Sequence, residues 1–260
     1  MNDLSSFSMD FFSLEGKVAI VTGGNTGIGQ GYTAALAKAG ADLLVTAFDD
    51  TGIEETRALV EGAGRKVEFI KGDLTNKAFR KEVIEACVNK FGKIDILVNN
   101  AGMIKRAPLL EHSYEDYISV IELNQNVVYD LSQQAAVVMD KQGGGKIVNI
   151  ASMLSFQGGK FVPGYTSSKH AVAGITKAFA NELSCKNIQV NAIAPGYIES
   201  ANTAPIRADA ERNKSILERI PAEKWGTPYD LMGTVVFLSS RASDYVSGHI
   251  LAVDGGWLTR

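Results

Sequence analysis

The chain has 260 residues, 45% of them hydrophobic, and carries 26 Lys and Arg against 29 Asp and Glu for a net charge of −3. That length holds one large α/β domain or two small ones, with enough apolar side chains for a core. The interspersed charge argues against a nucleic-acid surface, and no apolar run approaches the roughly 18 residues of a membrane span.

Residues 1–13 contain no basic residue and lack the long apolar stretch of a signal peptide. They read as a loosely ordered arm ahead of a domain over 14–260. Lys17 to Thr22 is a short run rich in β-branched residues, which predicts a buried strand. Gly23-Gly24-Asn25-Thr26-Gly27-Ile28-Gly29 follows, and an apolar-periodic helix then runs to about Ala39, with Gly40 as its stop. Strand, glycine turn and helix N-terminus form a phosphate cradle: free N–H groups point outward, and missing side chains let a pyrophosphate approach. The spacing is Gly-x-x-x-Gly-x-Gly rather than Gly-x-Gly-x-x-Gly.

The second strand spans Asp42 to Ala47, and a dinucleotide's ribose is read at its end. Phe48, Asp49 and Asp50 stand there, with no Arg or Lys beside them in sequence. Two carboxylates repel a 2′-phosphate, so NAD is expected rather than NADP, with Phe48 and Asp49 near the ribose. A solvated turn is an equal reading of Asp49 and Asp50.

Further strands are read at Val67–Lys71, Ile96–Asn99, Lys146–Ile150, Gln189–Ala194 and Ile250–Val253, with helical patterns near 52–62, 76–91, 113–142, 166–184 and 228–239. Alternation without a linker or repeat predicts a single-domain α/β fold, Rossmann-like: a doubly wound parallel sheet of about seven strands with helices on both faces. The connection 196–226 is unusually long and has a helical pattern of its own near 209–219, the mark of a substrate lid. Cys87 and Cys185 both fall in helical patterns and read as buried free thiols in a reducing, cytoplasmic setting. His112, His170 and His249 are scattered, and no metal site is expected.

Tyr165 and Lys169 stand one helical turn apart and share a face. An ammonium beside a phenol favours the phenolate, whose ordinary pKa is about 10. With the Ser152 hydroxyl alongside, the three groups suit proton exchange with a carbinol oxygen, provided something else carries the hydride.

These residues resemble the short-chain dehydrogenase/reductase family. The similarity runs from Leu14 to Arg260. It is carried by Thr22-Gly23 through Gly27-Ile28-Gly29, Asp73-Leu74, Asn99-Asn100-Ala101-Gly102, Asn124, Ser152, Tyr165 with Lys169, and Pro195-Gly196. The resemblance implies an NAD(P)-dependent enzyme in which Tyr165 is the acid/base, Ser152 binds the substrate oxygen, and Lys169 holds the nicotinamide ribose. It implies that Asn124, at a helix irregularity, holds a water in a proton relay. It also places Gly23, Asn25, Thr26, Gly27, Ile28 and Gly29 on the pyrophosphate, Asp73 and Leu74 on the adenine, and Asn100, Ala101 and Gly102 along the adenine ribose. Pro195, Gly196 and Ile198 would flank the nicotinamide.

Ala151 to Gly159, Arg219-Ile220-Pro221-Ala222 with Trp225-Gly226, Asp230 to Gly233 and Ala252 to Leu258 resemble a bacterial branch of the family that works on keto-deoxy sugar acids from uronate breakdown. That likeness implies a homotetramer and a small-molecule sugar-acid partner. Gluconate 5-dehydrogenation, another short-chain carbonyl reductase activity, and a cofactor-sensing protein without activity remain alternatives. An anionic substrate needs a local cation. Lys105, Arg106, Lys160 and Arg207 are candidates. Arg106 is expected to hold the carboxylate, with Gln157 and Trp225 shaping the pocket, against the equal reading of solvated charges.

Overall fold

In the computed structural model, which describes residues 4–260, seven parallel strands form one sheet. They are β1 (Val18–Thr22), β2 (Asp42–Ala47), β3 (Val67–Lys71), β4 (Ile96–Asn99), β5 (Gly145–Ile150), β6 (Ile188–Pro195) and β7 (Ile250–Val253), in the order β3-β2-β1-β4-β5-β6-β7. The helices are α1 (Gly27–Lys38), α2 (Ile53–Glu61), α3 (Lys77–Phe91), α4 (Tyr114–Ile121), α5 (Val127–Gln142), α6 (Pro163–Leu183), α7 (Ala204–Ala208), α8 (Ala210–Arg219) and α9 (Pro228–Ser239). Strands β1, β4 and β6 are buried along their whole length, because helices cover both faces. One apolar layer joins Leu36, Val235 and Leu238 to the sheet, and the other joins Val83, Leu131 and Met139. The expected single-domain, doubly wound α/β sheet is the one the chain forms.

β1 pairs with β2 on one side and β4 on the other, so the winding reverses between β1 and β4. A crevice opens there, beyond the C-terminal strand ends, where open sheets of this kind bind ligands. Buried amides hold its walls in register. Asn99 Nδ2 donates to Ser132 Oγ (2.9 Å) and to Asn149 Oδ1 (2.8 Å), and Asn149 Nδ2 donates to Thr176 Oγ1 (3.0 Å). These bonds tie β4 and β5 to α5 and α6 at the depth where water cannot substitute for them.

Four local outcomes refine the periodicity reading, the first of them at the helix irregularity that the family resemblance implied for Asn124. The pattern over 113–142 is not one regular helix: a π-helical segment, Glu122–Asn126, separates α4 from α5. Its wider turn carries Asn124 inward until it is fully buried. Helix α6 starts at Pro163, ahead of the predicted 166, because proline suits a first turn whose N–H needs no partner. Cys87 is buried as expected, but Cys185 is exposed, because α6 ends at Leu183 and a short 3-10 turn follows. The predicted arm begins with residues outside the described range. From Leu4 onward it forms two 3-10 turns, Phe12 lies 6.5 Å from Phe237, and the Arg241 guanidinium sits 4.8 Å over the Phe11 ring.

Arg80 on α3 is 1% exposed and meets two carboxylates from the neighbouring helical layer. Its Nη1 donates to Glu122 Oε1 at 3.1 Å, while Asp130 Oδ2 approaches Nε at 2.6 Å off the N–H direction, an ion pair rather than a hydrogen bond. Arg80→Ala would strip both carboxylates of their cation and leave a void. We expect a loss of about 3–5 kcal/mol in urea unfolding, with Arg80→Met losing less because it refills the volume. An Arg80→Ala midpoint equal to that of the wild type would show the triad to be energetically idle.

Candidate active site

A single cavity of about 1220 Å³ runs along the C-terminal edge of the sheet, from the glycine turn to the last residues of the chain. At one end, Gly23 (φ +59°) and Gly27 (φ +54°) adopt left-handed backbone that disfavours side chains. A Cβ on Gly29 would strike the Gly23 carbonyl and Asn100 Nδ2. The turn is held by side-chain hydrogen bonds to its backbone and to the neighbouring loop. Asn100 Nδ2 donates to the Thr22 and Gly23 carbonyls (2.9 and 3.1 Å), Thr46 Oγ1 accepts from Gly23 N–H (3.1 Å), and Asn25 Nδ2 donates to the Thr51 carbonyl (2.8 Å). Thr26 precedes α1 without capping it, so no side chain occupies the helix N-terminus. Free donors and bare backbone fit a pyrophosphate, and Gly23, Asn25, Thr26, Gly27, Ile28 and Gly29 all line the cavity.

The ribose- and adenine-side residues also line it: Phe48, Asp49, Asp73, Leu74, Asn100, Ala101 and Gly102. Phe48 is exposed, and Asp49 Oδ1 accepts from Thr51 N–H (2.9 Å), a bond that holds its carboxyl below the usual range. Asp73 Oδ1 accepts from Thr75 N–H (2.8 Å). The cation on this edge comes from another strand and is not a neighbour along the chain. The sheet register sets Lys71 of β3 opposite Ala47, and its Nζ reaches Asp50 Oδ1 at 2.7 Å.

Ser152 lies just past the end of β5, and Tyr165 and Lys169 on α6 face it across the cavity. Lys169 is buried; its Nζ donates to the Ile150 carbonyl (2.6 Å) and lies 5.4 Å from the centre of the Tyr165 ring. Burial pulls its pKa down to about 8. The ammonium thus addresses the face of the ring rather than the hydroxyl. For Tyr165 burial dominates and raises the phenol's pKa, while the Ser152 hydroxyl and the Arg106 charge pull the other way. The phenol therefore rests protonated, contrary to the expectation that Lys169 alone would depress it. Asn124 spends its amide on the scaffold: Oδ1 accepts from Met103 N–H (2.9 Å), and Nδ2 donates to the Met103 carbonyl (2.9 Å) and toward Ser168 Oγ (3.3 Å). Pro195, Gly196 and Ile198 line the cavity beside these groups, with the Ile198 carbonyl accepting from Thr203 Oγ1 (2.7 Å).

The far end is closed by the 196–226 connection. Arg106 Nη2 donates across the opening to the Asn202 carbonyl (3.1 Å). Lys105 and Arg207 are committed to Asp116 and Glu199. Gln157 is on the cavity wall. Trp225 is not among the described residues that line the cavity. It lies behind Tyr197, ring centres 5.2 Å apart, with its N–H on Asn213 Oδ1 (2.7 Å). Sequence reasoning missed Arg212, Ser215, Arg219 and Trp257, which do line it. The available signal was the cluster of cations on the predicted lid helix.

A family model described as Enoyl-(Acyl carrier protein) reductase matches residues 23–258. The 2-dehydro-3-deoxy-D-gluconate 5-dehydrogenase of Bacillus subtilis (strain 168) is 55% identical over 96% of this chain and 98% of its own. A relative from Agrobacterium tumefaciens, solved with bound NADP, is 48% identical, covers 96% of this chain and 99% of its own, and superimposes with a TM-score of 0.89. The gluconate 5-dehydrogenase of Burkholderia cenocepacia, solved with NADP and tartrate, is 34% identical over 96% of this chain and 98% of its own, with a TM-score of 0.90. With the glycine cradle, the Ser152, Tyr165 and Lys169 constellation and these matches across nearly the whole length, the chain belongs to the short-chain dehydrogenase/reductase family and is an NAD(P)-dependent oxidoreductase.

Proposed function

We propose that this enzyme interconverts a secondary alcohol and a ketone on a keto-deoxy sugar acid of the 2-dehydro-3-deoxy-D-gluconate type, as a homotetramer in the cytoplasm. The observation that carries the reading is a proton-exchanging phenol and serine at the floor of a cavity whose outer wall presents guanidinium groups. The names of the relatives supply the substrate class. The cofactor is proposed to be NAD(H), on the repulsion that Asp49 and Asp50 exert on a 2′-phosphate. A second reading, NADP(H), is favoured by the approach of Lys71 and by the nucleotide bound in the Agrobacterium relative.

The nicotinamide, when bound, supplies or accepts the hydride. In the reducing direction Tyr165 gives its phenolic proton to the oxygen as negative charge develops there, and Ser152 Oγ–H donates a hydrogen bond to the same atom. The Lys169 charge on the ring face steadies the phenolate that is left. In the oxidising direction the phenolate must form first and then accept the alcohol proton. Burial holds the phenol protonated near neutral pH, which suits reduction.

Incubating the protein with 2-dehydro-3-deoxy-D-gluconate and either nucleotide, and following nicotinamide absorbance, tests the activity and the nucleotide together. NAD should be favoured in kcat/KM, and a preference for NADP would remove Asp49 as the discriminator. Tyr165→Phe should lose roughly 10²–10⁴-fold in kcat while still quenching NADH fluorescence on binding. Near-normal turnover would end the acid/base assignment. The Arg106 cation lowers the Tyr165 pKa, so its removal must raise it. The alkaline rise of oxidation should accordingly move to higher pH in Arg106→Gln and stay in place in Arg106→Lys. An unmoved profile in Arg106→Gln would separate Arg106 from the phenol.

A further inference from the structure

Besides Lys160 and Lys169, the cavity wall carries guanidinium groups from two segments of the chain. Arg106 stands at the reacting end, where its charge acts on the Tyr165 phenol. Arg212 and Arg219 project from α8 of the lid and act instead on Tyr197, whose phenol burial pushes up and these two guanidiniums pull back. Neither has a carboxylate within ion-pair distance among the described residues, although Lys214 on the same helix pairs with Glu218.

Arg219 is the better organised of the two. Its guanidinium lies 3.9 Å from the centre of the Trp257 ring, and Nη2 donates to Gln157 Oε1 at 3.3 Å. Stacking on an indole fixes the plane of the fork, and the Gln157 bond fixes its rotation. Its backbone is held as well: the Arg260 guanidinium donates to the Glu218 and Arg219 carbonyls (2.8 and 2.9 Å), the last acceptors of α8. Trp257 is 5% exposed and rests edge-on against Tyr197, ring centres 4.8 Å apart, so the platform beneath Arg219 is rigid. A planar guanidinium with remaining N–H donors, no acidic partner and a fixed orientation is suited to bidentate recognition of a carboxylate.

We infer that Arg219, laid on Trp257 and steadied by Gln157, anchors the substrate carboxylate, and that the carbon undergoing reaction is several bonds away from it. This rests on the sugar-acid reading above and refines it. A carboxylate adjacent to the reacting carbon would meet Arg106. One at the other end of a six-carbon chain meets Arg219, with Arg106 left to the oxygens near the reacting carbon and to the phenol.

The test compares wild type, Arg219→Gln and Arg219→Lys with saturating nicotinamide nucleotide on 2-dehydro-3-deoxy-D-gluconate and on 3-deoxyglucosone, its uncharged counterpart with an aldehyde in place of the carboxylate. Arg219→Gln should raise KM for the acid about tenfold or more, leave kcat within about threefold, and leave KM for the aldehyde unchanged. Arg219→Lys should recover part of the loss. Tryptophan fluorescence of the nucleotide-loaded protein, titrated with D-gluconate, reads binding without turnover and should show the same weakening. Retained nucleotide binding and an unchanged melting temperature establish that the variants are folded. If the wild type treats acid and aldehyde alike, the sugar-acid reading fails and the anchor with it. If the wild type prefers the acid and Arg219→Gln keeps that preference, the anchor alone is overturned.

Discussion

A buried ammonium on a strand's last carbonyl organises the reacting end of this enzyme. Lys169 is almost wholly removed from water, and a charge in that position cannot be left without an acceptor. It finds one in Ile150, at 2.6 Å, the terminal residue of β5. That single bond draws α6 onto the end of the sheet. Ser155 Oγ repeats the tie by donating to the Lys169 carbonyl at 2.6 Å. With the helix so held, Tyr165, one turn earlier, faces Ser152, two residues past the strand. The same burial sets the protonation states: it lowers the lysine and raises the tyrosine. Placement and proton affinity at this end thus follow from one act of desolvation.

The other half of the cavity is built by the opposite means. Around the glycine turn, glycines leave the backbone bare where a ligand must approach, and the side chains of Asn100, Thr46 and Asn25 beside it are spent fastening that backbone. Asn124 plays a comparable part deeper in, gripping both polar groups of Met103 from a π-helical turn. Rigid backbone with free donors favours an anion. A buried, partly neutralised pair of titratable groups favours proton transfer. The lid adds a third character, a cation on an aromatic bed.

Several features were legible in the chain because they are local. The β-branched runs, the glycine turn, the Tyr165 and Lys169 spacing and the helix stop at Gly40 depend on residues a few positions apart, and the seven strands formed within a few residues of their expected bounds. Other features were not legible, because they join residues far apart. Lys71 reaches Asp50 across 21 positions through strand register. Arg219 meets Gln157 across 62. Trp225 was expected on the sugar pocket, but Tyr197 covers it and Asn213 takes its N–H. Cys185 was expected to be buried, but α6 ends at Leu183 and the 3-10 turn that follows leaves it exposed.

By itself the sequence determined the class of fold, the family and the candidate groups Ser152, Tyr165 and Lys169, since periodicity, turn chemistry and short spacings are properties of contiguous residues. Only the tertiary structure decided how those groups are charged and where the remaining cations stand. Proton affinity depends on how much water is excluded, and a cation's availability depends on whether a distant carboxylate has already claimed it; both are set by residues brought together from opposite ends of the chain.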